Sequence, residues 1–388
     1  MPSLNKTAGT YTPLHNIFSG ECSQFGDSYQ TGHYLDTHKY TELTDRLLNR
    51  FYPKYCCNQK LTKTDGIRET VLRCPKCRKQ QSRLSGTPLH HFKLPRWYFS
   101  YLLQESIIRY PQVLTASEIS RKLNISGKAG LTLKRRLQLF ASEVLPYMES
   151  KFYNDLHKEF NNFKLPSDKN TDITGIVKDR SIPQTDTVVL YSCRSTANKG
   201  RKRYGRTGQT ASIYRSESLG GDQVGTLVNV LGVKQGPVFY TSIPNQTSET
   251  INPILRHFLP YRAPLFSDRG YVGYPGPNHR MVNHSLKSKD KRYRFSKDRW
   301  SKNGIHCNVA EANNNILKRS FKAYVYIRPK YSQMYLNEYA FYRNLRYYNL
   351  DDLVGESIVE QESKMRERVG EVCPKGDLNP HEVTLTST

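Results

Sequence analysis

The segment Pro264-Leu-Phe-Ser-Asp-Arg-Gly-Tyr271 places an acid directly behind a short apolar run. A short apolar run bounded by a proline and a glycine is typical of a buried strand. The pattern therefore predicts a strand that ends at Asp268, with the carboxylate of that residue at the edge of a sheet.

A second acid, Glu311, closes the segment Gly304-Ile-His-Cys-Asn-Val-Ala-Glu311. We predict a helix over Asn308–Ala323, so Glu311 lies in the first turn of that helix. Between the two acids, Arg280–Lys302 holds nine Lys or Arg and only two acids. Two carboxylates separated by a basic loop suit a site that grips a nucleic-acid backbone, because carboxylates bind Mg²⁺ while the cations bind phosphates.

The surrounding carboxyl-terminal half of the chain mixes strands and helices. β-Branched runs predict three strands before Asp268, and helical spacing predicts further helices on either side of the two acids. These elements are the strands Thr187–Cys193, Val224–Val233 and Pro237–Ser242 and the helices Ser248–Leu259 and Ser332–Tyr348. This order indicates an α/β domain over residues 186–349.

The amino-terminal half contains two smaller predicted parts. Residues 40–95 form a turn-rich module that contains four cysteines, and residues 96–160 are helical. In the helical part, a short helix, the turn Asn124-Ile-Ser-Gly127 and a helix carrying Arg135 and Arg136 have the pattern of a helix-turn-helix reader of the DNA major groove. Two packed helices with a solvated basic face explain the pattern nearly as well.

The chain is strongly basic, with 59 Lys and Arg against 34 Asp and Glu and a formal net charge of +25. The basic excess lies upstream of residues 350–388, which hold nine acids and four Lys or Arg. Such a charge gains affinity for a polyanion by releasing condensed counterions, so double-stranded DNA is the expected partner. A basic protein that is merely soluble is the alternative interpretation.

A membrane partner is not expected, because the sequence shows no signal peptide and no run of 18 apolar residues. The eight cysteines are too sparse for a disulfide scaffold. We therefore expect a cytoplasmic, nucleoid-associated protein.

The motifs around the two acids follow a series that occurs in one known family. In chain order they are Asp268-Arg-Gly-Tyr271, Val282-Asn-His284, Gly304–Glu311, Leu317-Lys-Arg319 and Tyr335–Asn344. The series resembles that of the bacterial insertion-sequence transposases related to the eukaryotic Merlin elements. These proteins have an N-terminal zinc ribbon and an RNase H-like catalytic domain with an Asp-Asp-Glu (DDE) triad.

The resemblance implies metal-binding roles for Asp268 and Glu311, as the second and third acids of the triad, with Mg²⁺ or Mn²⁺ as the cofactor. His284 and His306 match two histidine positions of the family motif. The alternative for each histidine is a helix cap or a buried, hydrogen-bonded ring.

The resemblance also implies a set of DNA-binding residues. Lys318 and Arg319 match the basic pair of the family, and Arg194–Arg206 resembles the basic loop after its first catalytic strand. With the basic loop between the acids and the helical region, the expected DNA-binding residues are Arg135, Arg136, Arg201, Lys202, Arg203, His284, Lys291, Arg292, Lys318 and Arg319.

The chain departs from the family at the first acid of the triad. The predicted strand Thr187–Cys193 carries no acid, and the nearest are Asp186, just before it, and Asp179. Carboxylates at opposite ends of a strand of five or six residues lie about 17 Å apart, too far to share a metal ion. Asp186 is therefore the candidate first acid only if the strand begins earlier than predicted.

A second departure concerns zinc, whose structural sites take four Cys or His ligands, commonly from two Cys-x-x-Cys knuckles. Cys74-Pro-Lys-Cys77 is one such knuckle, but the other is replaced by the adjacent cysteines of Tyr55-Cys-Cys-Asn58. Cys57 or its neighbour, with His90 or His91, is expected to complete a Zn²⁺ site. A module that has lost its zinc is the alternative.

The predicted organisation is an RNase H-like α/β catalytic domain preceded by a zinc-ribbon-like module and a helix-turn-helix-like region. The segments are a flexible arm (1–39), the module (40–95), the helical region (96–160), a linker (161–185), the catalytic domain (186–349) and an acidic tail (350–388).

The leading hypothesis for function is a DDE transposase that cleaves the ends of an insertion sequence and joins them to target DNA, as a homodimer or larger assembly. A transposase-derived DNA-binding protein without the chemistry is the alternative, which the missing first acid and the altered knuckle favour. An RNA-binding basic protein explains the charge but not the series of motifs.

Overall fold

The computed structural model describes residues 37–63, 70–192, 213–214 and 221–348. The predicted arm up to residue 36, the acidic tail and the basic residues Arg201, Lys202 and Arg203 lie outside the described residues. Within the described part, the chain divides into two compact units, of which the first ends at Val144 and the second begins at Leu145.

The first unit combines short strands with helices. Its elements are α1 (Thr37–Phe51), β1 (Tyr55–Cys56), β2 (Gln59–Lys60), β3 (Thr62–Lys63), β4 (Val71–Arg73), β5 (Gln80–Ser82), α2 (Trp97–Arg109) and α3 (Ala116–Leu123), followed by α4 (Gly127–Phe160), which ends in the second unit. Strands β1 and β2 form one antiparallel hairpin, and β3, β4 and β5 form an antiparallel sheet. The helices share an aromatic core, in which the Phe140 ring meets those of Phe51 and Phe99 edge-on.

The connection between α3 and α4 is a tight turn. Thr115 caps the start of α3, because its side chain and that of Glu118 form a reciprocal capping box. Asn124 ends the helix in the left-handed conformation. Gly130 of α4 lies so close to α3 that a Cβ at this position would be 2.8 Å from the carbonyl oxygen of Ala116. The two helices are therefore in close contact directly after the turn.

The second unit is a mixed α/β structure. Its elements are α5 (Thr174–Val177), β6 (Pro183–Leu190), β7 (Thr226–Val233), β8 (Val238–Ile243), α6 (Ser248–Phe258), β9 (Leu265–Asp268), β10 (His279–Val282), β11 (Ser301–Lys302), β12 (Ile305–His306), α7 (Asn308–Phe321) and α8 (Ser332–Tyr348). The main sheet has five strands in the order β10-β9-β6-β7-β8. Strands β6, β7 and β8 are antiparallel neighbours, whereas β9 is parallel to β6 and β10 is parallel to β9. The fold therefore places β6, the first strand of the unit, at the centre of the sheet, between β7 and β9.

Helix α8 covers the β8 edge of this sheet through two buried amide side chains. Asn344 accepts a hydrogen bond from the backbone amide of Val238 and donates one to its carbonyl oxygen. Gln333 makes the same pair of bonds, to the amide of Ser242 and the carbonyl of Tyr240. These bonds satisfy strand groups that would otherwise be open to pairing with another chain.

The segment predicted as the linker is packed into the second unit. Leu165 and Ile173 are buried, and the backbone amide of Leu165 donates to the side chain of Asn278. Proline and polar residues without periodicity predicted a linker, but isolated apolar residues anchor this stretch. None of the described helices is long and apolar enough to cross a membrane.

Candidate active site

The register of the central strands places two acids side by side. Strand β6 pairs in parallel with β9, with Gln184 opposite Phe266 and Thr185 opposite Ser267. The next pair in this register is Asp186 with Asp268. Neighbouring strands lie about 4.8 Å apart and side chains alternate between the faces, so the two carboxylates leave the sheet on the same side.

The predicted start of the first strand at Thr187 is wrong, because the strand begins at Pro183. The polar run after that proline lacks the composition of a buried strand, but each polar side chain has a partner. Gln184 accepts a hydrogen bond from the amide of Val309, and Thr185 donates one to the carbonyl of Val230. Asp186 is therefore a central residue of a strand and does not lie a strand length away from Asp268.

Helix α7 carries the third acid to the same face of the sheet. The side chain of Gln184 fixes the first turn of the helix through its bond to Val309, 2.9 Å long. One turn further on, the Asn314 amide donates a 2.7 Å hydrogen bond to Asp186. Glu311 lies between these two anchor points, on the same helix. Both ends of the turn that carries Glu311 are thereby held against β6.

The electrostatics of Asp186 indicate that the other two acids lie close enough to affect its charge. Burial raises the pKa of Asp186 to about 6, and the negative charges of Asp268 and Glu311 contribute to the increase. The backbone amide of Thr187 opposes the shift through a 2.7 Å hydrogen bond. Burial and the same three acids raise the pKa of the Cys307 thiol. The cluster thus concentrates negative charge, which favours a cation.

Asp268 is held by the turn that follows it. Its carboxylate accepts a hydrogen bond from the backbone amide of Gly270 at 2.9 Å, which begins the helical turn Arg269–Tyr271. The hydroxyl of Tyr271 then accepts a bond from Asn229 at 2.7 Å and lies 3.4 Å from the Thr185 hydroxyl. This buried network ties β6, β7 and the Asp-Arg-Gly-Tyr turn together beneath the acids.

The two predicted histidines have different surroundings. His284 Nε2 lies 3.2 Å from a carboxylate oxygen of Glu311, while its Nδ1 is buried without a hydrogen-bond partner among the described residues. His306 instead lies 3.2 Å from the Gln184 amide nitrogen, and burial lowers its pKa. The structure therefore brings His284 to Glu311, whereas His306 contacts Gln184, two positions before Asp186 on the first strand.

The predicted DNA-binding cations of the second unit lie on its surface. Lys318 and Arg319 are exposed in the last turn of α7, and Lys291 and Arg292 are exposed in the loop before it. Arg292 also makes an ion pair with Asp290.

The basic residues of α4 are less available. Lys134 is almost fully buried and so does not lie on a solvated face. Arg135 is half-buried and donates to Gln138 at 2.7 Å, while Arg136 donates to the carbonyl of Pro88. Their predicted contact with DNA competes with these bonds.

The first unit gathers the cysteines Cys56, Cys57, Cys74 and Cys77. Their sulfur atoms all lie within 4.8 Å of one another, with 3.4 Å between Cys56 and Cys77 and 3.8 Å between Cys56 and Cys57. A tetrahedral zinc ion with bonds of about 2.3 Å requires sulfur atoms about 3.8 Å apart. The two adjacent cysteines face one centre because Cys57 adopts a positive φ of 51°. His90 and His91 are not members of this group.

The acids form a more open group than the cysteines. In the part of the chain that the structure describes, the cysteines alone bring three or more ligand atoms within 4.8 Å of each other.

Gln184 and Asn314 are site residues that sequence reasoning missed. Asn314 had a readable signal, since it follows Glu311 by three positions and residues at that spacing share a helix face. Gln184 had none, because its role depends on pairing between distant strands.

Comparison of the sequence with known protein families gives a match in the second unit. Residues 195–344 match the model of the ISXO2-like transposase domain. No curated protein and no solved structure matches the chain. The matched range covers β7 to α7 and most of α8, including Asp268 and Glu311, whereas Asp186 lies before it. Transposase domains act on DNA, and DDE transposases use divalent metal ions. This match and the motifs that follow Asp268 support an insertion-sequence transposase family, and residues 195–344 are similar to the ISXO2-like transposase domain.

Proposed function

We propose that the protein is an active DDE transposase that cleaves the ends of its insertion sequence and joins them to target DNA. The observation that carries this proposal is the parallel register of β6 and β9, which supplies the acid missing from the sequence motif. Asp186 is then the first acid of the triad, and Asp268 and Glu311 are the second and third.

The topology of the second unit supports the catalytic domain. Three antiparallel strands are followed by a helix and by two strands parallel to the first, and a helix then covers the acids. This is the RNase H-like arrangement implied by the family. It fixes the first two acids on adjacent strands and the third on a helix, so the site is built on rigid elements.

The three carboxylates fit Mg²⁺ or Mn²⁺, because they are oxygen donors on one face of the sheet and repel each other when no cation is present. When bound, a pair of such ions activates the attacking water or 3′-hydroxyl and stabilises the leaving oxygen. Asn314 holds the Asp186 carboxylate in place, and the Gly270 amide holds that of Asp268. His284 orients Glu311 through a charge contact of 3.2 Å between its Nε2 atom and the carboxylate.

The exposed cations position the DNA. Lys318 and Arg319 lie on the helix of the third acid, and Lys291 and Arg292 lie on the loop before it. They neutralise phosphates on either side of the scissile bond and release condensed counterions. Arg201, Lys202 and Arg203 would add to this contact.

The first unit binds DNA as well, through a zinc-supported module and a helix-turn-helix. The four cysteines offer the ligand set of a structural zinc ion, and the tight turn after α3 presents the start of α4. The exposed residues there are Lys128, Leu131 and Thr132, next to Arg135. The protein works in the nucleoid as a homodimer or larger assembly, since two transposon ends must be held together.

Cleavage of a labelled duplex that carries the DNA flanking the gene tests the proposal. With Mg²⁺ or Mn²⁺, we expect Asp186→Asn, Asp268→Asn and Glu311→Gln each to lower the rate at least about a hundredfold, because a metal ligand contributes several kcal/mol. Asp179→Asn is the matched control, since this exposed acid precedes the same strand. Unchanged cleavage by Asp186→Asn would remove it from the triad. No cleavage by the wild type, with DNA binding retained, would favour a transposase-derived DNA-binding protein.

A further inference from the structure

Trp300 presents an aromatic surface beside the acids that the catalytic site does not use. It directly precedes β11, in the segment between β10 and β11, and 49% of its surface is exposed. Its ring centre is 5.3 Å from that of His284, and His284 contacts the carboxylate of Glu311 at 3.2 Å. One side chain therefore separates the exposed indole ring from the third acid.

Cations surround this indole and the neighbouring Phe295. The guanidinium group of Arg299 lies 4.6 Å from the centre of the Trp300 ring and 4.7 Å from that of Phe295. Lys287 and Arg294 also contact Phe295, at 5.2 Å and 5.1 Å. These contacts fix the orientation of Trp300 between Arg299 and His284 while leaving half of the residue open.

We infer that Trp300 and Arg299 form a stacking site for an unpaired nucleobase at the end of the DNA strand being processed. The inference rests on the proposed function, because that function brings a DNA strand to Glu311. An aromatic ring flanked by cations suits single-stranded nucleic acid, since the ring stacks on the base and the cations bind the phosphates.

The exposed aromatic surface of Trp300 favours binding of an unpaired base over binding of a duplex. Bases within a duplex present their edges in the grooves, and their faces are covered by neighbouring base pairs. The exposed part of Trp300 offers an apolar aromatic surface, which suits the face of a base and not its edge. Only a base that has left the stack, or that belongs to an overhang, presents such a face.

The test compares two duplexes that have equal charge. Each carries the same short overhang, with normal bases in one and abasic residues in the other, and Ca²⁺ replaces Mg²⁺ so that the strand stays uncut. We expect the full-length wild-type protein to bind the base-bearing overhang about tenfold more tightly, the usual contribution of one stacked base. Trp300→Ala should bind both duplexes equally, and Trp300→Phe should retain most of the preference.

Intrinsic fluorescence gives a second readout of the same contact. The chain has two tryptophans, and Trp97 is only 5% exposed, so quenching by the overhang reports on Trp300. The base-bearing duplex should quench the emission and the abasic duplex should not. Tyr261→Ala is the control variant, because this residue is 76% exposed in the same unit and should leave the preference unchanged.

Two results would overturn the stacking site. One is equal binding of both overhangs by the wild type, which needs no variant and does not depend on whether Trp300→Ala folds. The other is a Trp300→Ala variant that weakens both duplexes to the same extent. The proposed function fails separately, in the cleavage assay, because a protein that prefers the base-bearing overhang but never cuts DNA keeps the stacking site and loses the activity.

Discussion

The side-chain amide of Asn314 donates a 2.7 Å hydrogen bond to the carboxylate of Asp186. This bond joins the helix of the third acid to the strand of the first, although the two residues are far apart in the sequence. Asn314 is 6% exposed, and its own carbonyl oxygen has no hydrogen-bond partner among the described residues. The side-chain amide of Asn314 therefore stabilises the negative charge of Asp186. The carboxylates of Asp268 and Glu311 have the opposite effect, because they repel that charge.

Replacing Asn314 by Asp should damage the site without changing its shape. A carboxylate would then face Asp186 in place of a donor, so the pKa of Asp186 should rise further and the metal affinity should fall. We expect cleavage with Mg²⁺ to decrease at least about tenfold, the equivalent of one lost charge-assisted hydrogen bond. Asn315→Asp adds the same charge to the next position of the helix, which is exposed, and should be nearly neutral. Equal losses in both variants would indicate a general effect of charge on DNA binding.

Removing the hydroxyl of Tyr271 should destabilise the second unit. The hydroxyl accepts a 2.7 Å bond from Asn229, and both residues are buried beneath the acids. In Tyr271→Phe the side-chain amide of Asn229 keeps only its hydrogen bond to the Thr185 hydroxyl. We therefore expect the free energy of unfolding to fall by about 1–2 kcal/mol. Urea denaturation followed by circular dichroism measures this change. Tyr261→Phe, at an exposed position, should leave the unfolding midpoint unchanged. An unchanged midpoint in Tyr271→Phe would show that the hydrogen bonds of the Tyr271 hydroxyl do not stabilise the unit.

Much of the second unit could be predicted from local sequence patterns. The helices at Ser248, Asn308 and Ser332 begin where helical spacing placed them, because apolar periodicity and burial agree there. The strand that ends at Asp268 also agrees with the prediction. The hydrophobic pattern of their own residues is enough to predict these elements, and they carry two of the three acids, Asp268 and Glu311.

The first acid could not be placed in this way. Strand β6 begins with polar residues, and only its pairing with two distant strands satisfies Gln184 and Thr185. The cysteines show the same limit. Adjacent cysteines do not form the usual knuckle, but a positive φ at Cys57 turns both towards one centre. Local sequence reports neither non-local pairing nor an unusual backbone conformation.

The first unit should lose stability as the pH rises towards neutrality because of Glu143. Burial raises the pKa of this carboxyl from 4.5 to about 7, although Tyr52 donates a hydrogen bond to it. The folded state then keeps a proton that the unfolded state has released. The contribution to stability is complete below about pH 4.5 and is lost as the pH rises through 7, by about 3 kcal/mol in total.

Glu143→Gln should remove this pH dependence, since the amide does not titrate. The measurement is urea unfolding at pH 5 and pH 8, followed by the fluorescence of buried Trp97 in a Trp300→Phe background. Glu42→Gln, an exposed position of the same unit, should retain the full difference between the two pH values. An unchanged difference in Glu143→Gln would assign the pH dependence to another group.

Zinc should bind through the two adjacent cysteines and not through a histidine. Hydrogen bonds from the Lys79 amide and from neighbouring thiols lower the pKa of Cys77 to about 7, so its thiolate is the easiest to form at neutral pH. Four sulfur ligands complete a structural site, and removing one leaves an open position that weakens it. We therefore expect one zinc ion per wild-type chain, and clear loss of zinc in both Cys56→Ser and Cys57→Ser. His90→Ala should keep the metal, because His90 is outside the cysteine group. Metal analysis after dialysis against a weak chelator measures the ratio. Retention of zinc by either serine variant, with loss in His90→Ala, would show that the module uses a mixed Cys and His site.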